Sequence, residues 1–152
     1  MMDIVHKVGI KAPIPAVYAA LATIQGLAGW WTTDTSGLSE VGGRIRFWFN
    51  NPDGGERGGF VMQVLELAPD RLVRWLVVEG PAEWVGTEID FALSQSGDYA
   101  IVLFGHRNWR EWVEFMSHCS TKWASFLFSL REMLETGKGR PAPYDARVSE
   151  WD

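Results

Sequence analysis

A long amphipathic segment in the last third of the chain constrains the fold more than any other feature. Its apolar side chains recur at helical spacing and, at about 100° per residue, fall on one broad face. That stripe consists of Trp112, Met116, Cys119, Trp123, Phe126, Leu127, Leu130 and Leu134. The pair Thr136-Gly137 is typical of a helix C-terminus, because glycine readily takes the left-handed cap conformation. The pattern predicts one long helix that must bury this face against another layer.

The residues before this helix predict β-strands joined by short turns. Alternating apolar residues and flanking turn signals mark strands near residues 4–10, 44–49, 59–67, 72–78, 84–93 and 99–106. Helical spacing predicts two short helices between the first two strands, one over residues 15–23 and one near 26–31, and residues 32–40 have the composition of a loop. Because short loops join antiparallel neighbours, we expect an α+β fold in which a curved antiparallel six-stranded sheet wraps around the terminal helix.

The length and composition predict a single domain. The chain has 152 residues, 47% of them hydrophobic, which is close to the size at which one core suffices. We assign residues 1–140 to this domain and residues 141–152 to an irregular tail. The formal charge of −5 argues against a nucleic-acid partner. No segment has the length for membrane insertion or the pattern of a targeting signal, so we expect a soluble cytoplasmic protein.

Large aromatic side chains predict a cavity between the sheet and the helix. The chain contains 9 Trp residues, and so many large rings seldom interdigitate without leaving a void. A curved sheet and a straight helix also cannot stay in contact everywhere. The side chains with the strand parity or helical phase for lining this gap are Trp31, Phe47, Phe49, Trp75, Phe91, His106, Trp112, Met116, Trp123 and Phe126. An apolar lining with few polar groups predicts a small hydrophobic ligand, either aromatic or lipid-like.

Several short segments together resemble the START-like, or SRPBCC, superfamily. They are Ile10-Lys11-Ala12-Pro13, Val17-Tyr18-Ala19-Ala20-Leu21, Leu27-Ala28-Gly29-Trp30-Trp31, Gly42-Gly43-Arg44, Pro69-Asp70-Arg71-Leu72-Val73-Arg74-Trp75, His106, Trp123-Ala124-Ser125-Phe126-Leu127 and Leu134-Glu135-Thr136-Gly137. Their order and spacing are similar to the branch named for homologues of the activator of heat-shock-protein ATPase, over roughly residues 3–140. The resemblance implies a helix-grip, Bet v 1-like fold with a deep hydrophobic tunnel. Members use this tunnel for lipids, polyketides, hormones and other apolar molecules, and a minority catalyse reactions.

The sequence favours a binding or carrier protein over an enzyme. It contains no nucleophile elbow, P-loop or dinucleotide fingerprint, and its three histidines are dispersed, so we expect neither a cofactor nor a metal site. The best catalytic candidate is His106, which could move protons with Tyr18 or Tyr99 in a cyclase- or dehydratase-like enzyme. Another alternative is a co-chaperone-like interaction module that uses Trp48 and neighbouring arginines on the outer sheet face. Exposed apolar residues also leave open a homodimer.

Overall fold

An antiparallel sheet and a long C-terminal helix form the two layers of the structure, a computed structural model that describes residues 1–152 apart from the side chain of Glu56. The elements are β1 (Met2–Ile10), α1 (Ile14–Ala22), α2 (Ile24–Trp30), β2 (Asp34–Gly37), β3 (Arg44–Asn50), β4 (Glu56–Ala68), β5 (Leu72–Glu79), β6 (Glu88–Ser96), β7 (Tyr99–Trp109) and α3 (Glu114–Thr136). The strand order is β1-β7-β6-β5-β4-β3-β2, and the architecture is the predicted helix-grip fold.

The sheet curves around α3, because strands near both of its edges contact that one helix. On the β1 side, His6 Nε2 lies 3.1 Å from the main-chain oxygen of Ser120. On the β3 side, the ring of Phe49 lies 6.3 Å from that of Phe126. The pairing of β4 with β5 is irregular at two places, and such bulges increase the local twist and bend of a strand. The result is a concave face that partly encloses the helix.

The boundaries of α3 confirm the predicted helix, except at its beginning. Most of the predicted apolar stripe is buried, and Gly137 caps the end with φ +94° while its N–H donates to the Met133 carbonyl at 2.9 Å. The helix begins only at Glu114, however, so Trp112 precedes it and is 59% exposed. The stripe therefore starts at Met116, because the extended backbone at Val113 separates Trp112 from the helix.

None of the described helices combines the length and the apolar character that crossing a membrane requires.

Two other segments differ from the predicted strands. Residues Asp34–Gly37 form β2 and pair with β3, so the sheet has seven strands rather than six. This edge strand is held by main-chain hydrogen bonds and needs no apolar alternation, which is why its sequence has the composition of a loop. The strand β6 begins at Glu88 rather than near Trp84. Trp84 lies instead in a turn, where its N–H donates to the Pro81 carbonyl at 2.9 Å.

Aromatic rings fill much of the space between the sheet and α3. Phe47 lies 5.5 Å from Trp75, Trp75 lies 5.3 Å from Phe91, and Phe91 lies 5.3 Å from Phe104, measured between ring centroids. The last two pairs meet edge to face, an arrangement in which aromatic rings attract one another and leave little room. Along these strands the rings are fully buried and the expected gap is closed.

The C-terminal tail folds back over the protein. Ala142 is buried, its N–H donates to the Trp31 carbonyl at 2.8 Å, and its carbonyl accepts from Thr33 N–H at 3.0 Å. These hydrogen bonds attach the tail to the segment that follows α2. The remaining tail residues then pass across α3 and reach the open end of the core.

Candidate functional site

A cavity of about 430 Å³ lies between α3, the start of β4 and the C-terminal tail. Its lining includes Trp and Phe side chains from six separate parts of the chain. These eight rings are Trp31, Phe49, Phe60, Trp84, Phe115, Trp123, Phe126 and Trp151. The polar side chains of the lining are Arg57, His118, Lys122 and Asp152. The cavity therefore has apolar walls and a charged rim.

The side of the cavity formed by the sheet depends on the strand parity of Phe60 and on a glycine at position 59. Phe60 shares its parity in β4 with the buried Met62 and Val64, so its ring faces the core. At the neighbouring position, a Cβ on Gly59 would lie only 2.0 Å from the carbonyl oxygen of Phe47. Only glycine allows β3 and β4 to approach this closely beside the cavity.

Stacked rings form the rim where the tail meets α3. The imidazole of His118 lies 6.1 Å from the ring of Phe115 and 5.7 Å from that of Trp151, between centroids. Its Nδ1 lies 2.6 Å from Ser149 Oγ. The helical phase predicts that His118 is exposed to solvent, but the tail covers it and its side chain is only 11% exposed. Burial is the main cause that lowers the pKa of His118, so the ring is neutral at neutral pH.

Lys122 binds the tail to α3 through two carboxylates. Its Nζ lies 2.5 Å from Asp145 Oδ2 and 2.5 Å from Asp152 Oδ2, and these two acidic side chains are only 8% and 2% exposed. Burial by itself would raise the pKa of Asp152. Hydrogen bonds from Lys122 and from the main-chain N–H groups of Ser149 and Val148 outweigh burial and hold this pKa below its usual range. Lys122 and Asp152, which form one of these ion pairs, both line the cavity.

Replacing Lys122 by methionine is expected to release the tail. Two nearly buried carboxylates would lose their cation, and breaking a buried pair costs about 3–5 kcal/mol unless the charges can escape to water. Here they escape when residues 145–152 detach, so the loss appears as local opening rather than global unfolding. Hydrogen exchange of the Val148 and Ser149 amides should accelerate by at least about 10-fold, which corresponds to roughly 1.4 kcal/mol.

The matched control for this prediction is Lys138→Met, which removes the same charge from an exposed position beyond the helix. It should leave the exchange of these amides unchanged. Equal protection in the wild type and in Lys122→Met would show that the ion pair does not hold the tail. Acidification below about pH 4 should also loosen the tail, because a carboxylate with a lowered pKa stabilises the folded form only while it is ionised.

The structure brings together only part of the residue set that the sequence predicts. The predicted residues that line the cavity are Trp31, Phe49, Trp123 and Phe126. The side chains of the others lie outside the lining, with Phe47, Trp75, Phe91, His106 and Met116 in the core and Trp112 on the surface. Helical phase and strand parity select the buried side of an element, but they do not distinguish a ring beside open space from a ring packed against another ring.

Some lining residues are missing from the sequence prediction. A signal exists for Phe60, which shares its strand face with Met62 and Val64. No local pattern indicates Trp151 or Asp152, because their place at the cavity depends on how the tail folds back. Trp151 and Asp152 are therefore missing from the prediction because their contacts join residues that are distant in the sequence.

His106 is fully buried behind the cavity wall and is held by hydrogen bonds at both ring nitrogens. Trp123 Nε1–H donates to Nδ1 at 3.2 Å, so the proton of the neutral ring is on Nε2, which donates to Thr87 Oγ1 at 2.8 Å. The Thr87 hydroxyl in turn donates to the carbonyl of Trp84. Burial lowers the pKa of His106 to about 3. Among the described residues, no other titratable side chain hydrogen-bonds to this ring.

The remaining polar groups of the lining do not form a nucleophile or a metal site. Burial raises the pKa of the Cys119 thiol to about 12, so the thiol stays protonated and behaves as a small apolar side chain. Within the described part of the chain, no group of three His, Cys, Asp or Glu side chains is arranged to hold a metal ion. The site can exclude water and bind apolar surface.

Comparison with models of known protein families shows which family this chain belongs to. The model of the family described as "Activator of Hsp90 ATPase homolog 1-like protein" matches residues 11–135. The chain belongs to this family. The match covers the elements from the end of β1 to the last turn of α3, which includes most of the lining of the cavity. Among curated proteins, none matches the sequence.

Solved structures similar to this family member include one of high sequence identity. The solution structure of the Aha1 dimer from Colwellia psychrerythraea is 44% identical, with a TM-score of 0.81 and coverage of 91% of this chain and 100% of that one. CalU16 from Micromonospora echinospora is 20% identical, with a TM-score of 0.75 and coverage of 97% and 74%. A protein of Staphylococcus saprophyticus is 19% identical, with a TM-score of 0.72 and coverage of 93% and 98%. The last two support the fold alone.

Proposed function

We propose that the protein binds a small apolar molecule, aromatic or lipid-like, in the cavity beside α3. The observation that carries the proposal is a space of about 430 Å³ walled by eight Trp and Phe side chains. Ligand pockets in proteins commonly have volumes of about 300–1,000 Å³ and mostly apolar walls. A ring or a short acyl chain that enters this space leaves water together with the apolar wall it covers, and this transfer is favourable.

The aromatic walls are closely packed, which favours binding. Trp84 stacks on Phe60 with 4.0 Å between ring centroids and 6° between ring planes. Trp31 lies 4.9 Å from Trp123, also between ring centroids. Trp31, Trp84 and Trp123 are all buried, so little side-chain freedom remains to be lost when a ligand enters.

The chemistry of the lining supports binding rather than acid–base catalysis. Lys122 is paired with both Asp145 and Asp152, and the Cys119 thiol stays protonated. His106, the residue on which a cyclase- or dehydratase-like mechanism would depend, is separated from the cavity by the wall that Trp84 and Trp123 form. We therefore propose carriage or sequestration of the ligand as the role of the site.

A neutral aromatic probe, 2-naphthamide, tests this proposal by isothermal titration calorimetry. Cys119→Phe places a ring in the cavity, whereas Ser117→Phe places the same ring on an exposed position of α3. Wild type and Ser117→Phe should bind the probe saturably, and Cys119→Phe should bind it at least about 10-fold more weakly, a difference of roughly 1.4 kcal/mol. Thermal melting establishes that both variants are folded. Absence of saturable binding to the wild type, or undiminished binding to folded Cys119→Phe, would refute the proposal.

We also propose that the chain forms a homodimer, as the 44% identical Colwellia protein does in its solution structure. Val5 and Leu103 are exposed apolar side chains on β1 and β7, and they are available for such a contact. Sedimentation equilibrium measures the mass in solution, and a monomer at micromolar concentration would contradict this proposal.

A further inference from the structure

A second pocket, of about 270 Å³, adjoins the apolar cavity. Arg57 and Asp152 line both spaces, so the two pockets are adjacent at the rim. The second pocket is formed by the turn between β3 and β4 and by the C-terminal tail. Its other lining residues are Asn50, Pro52, Pro143, Tyr144, Asp145 and Arg147. An apolar pocket among rings therefore lies beside a polar pocket among charged side chains.

Some of the charged side chains in the second pocket have a partner of opposite charge, and others do not. Asp145 and Asp152 both bind Lys122, so the two carboxylates already have a cation. Arg147 directs Nη1 to the main-chain oxygen of Asp152 at 3.4 Å. Neither Arg147 nor Arg57 has an ion pair with any side chain that the structure describes, but only Arg57 lines both pockets. Its guanidinium group is thus the donor at the junction of the two pockets with capacity for a ligand.

The neighbouring imidazole does not compete for an anion at this junction. Burial is the main cause of the lowered pKa of His118; the Asp152 and Glu150 carboxylates act to raise it, and the positive charges of Lys122 and Arg57 act to lower it. The ring is therefore neutral at neutral pH, and Arg57 is close enough for its charge to act at the rim. An anion at this junction would face a guanidinium fork that matches the two oxygens of a carboxylate.

We infer that the ligand is an amphipathic carboxylic acid, with its apolar body in the ring-lined cavity and its carboxylate bound by Arg57 at the junction with the polar pocket. This inference rests on the proposed function, because it names the chemical class of the molecule that the cavity binds. It assigns Arg57 as a specificity-determining residue. The walls determine the size of the apolar body, and Arg57 selects the acid over its neutral analogues.

The experiment compares two probes of nearly equal shape, 2-naphthoate and 2-naphthamide, by isothermal titration calorimetry near neutral pH. Wild type should bind the acid at least about 10-fold more tightly than the amide, a preference that falls as salt is added. Arg57→Gln should abolish the preference, so that this variant binds the acid and the amide with similar affinity. The matched control is Arg44→Gln on β3, an exposed arginine whose neighbour Ile45 is buried on the other face of the sheet, and it should retain the preference.

The outcomes separate the inference from the proposed function. Equal binding of acid and amide by the wild type would overturn the inference while the cavity proposal stands. A preference that survives in Arg57→Gln would overturn the assignment to Arg57. Loss of binding of both probes by the wild type would refute the cavity proposal and the inference together. Preference in the wild type and Arg44→Gln, with none in Arg57→Gln, would support both.

Discussion

Replacing Trp31 by alanine is expected to lower the free energy of unfolding by about 3–5 kcal/mol, the range for large aromatic residues removed from cores. Trp31 is only 2% exposed. Its ring lies 4.3 Å from Phe47, 4.9 Å from Trp123 and 6.1 Å from Trp75, between centroids. It therefore packs against β3, β5 and α3 simultaneously, and no neighbour can fill its place without leaving another contact. Equilibrium denaturation in urea measures the change.

The matched control for Trp31→Ala is Trp112→Ala. Trp112 is the same residue type but is 59% exposed and precedes α3. Its replacement should change the free energy of unfolding by no more than about 0.5 kcal/mol, as for most surface substitutions. Similar losses in the two variants would mean that Trp31 is not central to the core. Because Trp31 also forms part of the cavity wall, its loss should weaken binding of 2-naphthamide as well.

Acid should destabilise the wild type through His106. Burial lowers the pKa of this ring from 6.5 to about 3 in the folded protein. Between these values the unfolded chain binds a proton that the folded chain excludes, so stability from this residue decreases as the pH falls below 6.5. The loss approaches about 1.4 kcal/mol per pH unit. Between about pH 6.5 and pH 4.5 the wild type should therefore lose about 2 kcal/mol that His106→Gln does not lose.

Urea denaturation of the wild type and His106→Gln across this pH range measures the difference, in which the contributions of all other titrating groups largely cancel. Thr87→Val is the control, because it removes the hydroxyl next to Nε2 but leaves the imidazole able to titrate. It should be less stable at every pH and should retain the wild-type pH dependence. Parallel curves for the wild type and His106→Gln would show that burial does not keep this ring neutral.

The elements with a local signal were predictable. The apolar stripe of α3 repeats at helical spacing, and Gly137 ends the helix as predicted. Strand alternation likewise predicts which side of β3 faces the core, with Ile45 and Phe47 buried. Trp112 shows the limit of this reasoning. Its position fits the helical spacing of the stripe, but the backbone becomes helical only at Glu114. The edge strand β2 shows another limit, because main-chain pairing alone can make a strand.

The candidate site was less predictable than the fold. The sequence indicates an apolar space between the sheet and the helix, but its position depends on which rings touch. Phe47, Trp75 and Phe91 fill one part of that space, whereas Phe49 and Phe126 lie beside the opening that remains. These distances join rings from different elements. Strand parity and helical phase describe one element at a time, so they do not predict such distances.

The two layers of this protein, most of its strands, the long helix and the buried side of each follow from the amino-acid sequence alone. These follow from periodicity, because a side chain's direction repeats every two residues in a strand and about every 3.6 in a helix. The position of the remaining space and the charges that border it depend on tertiary contacts. Lys122 meets Asp152 across 30 residues of sequence, and such a contact arises because the tail folds back over α3, which no local repeat specifies.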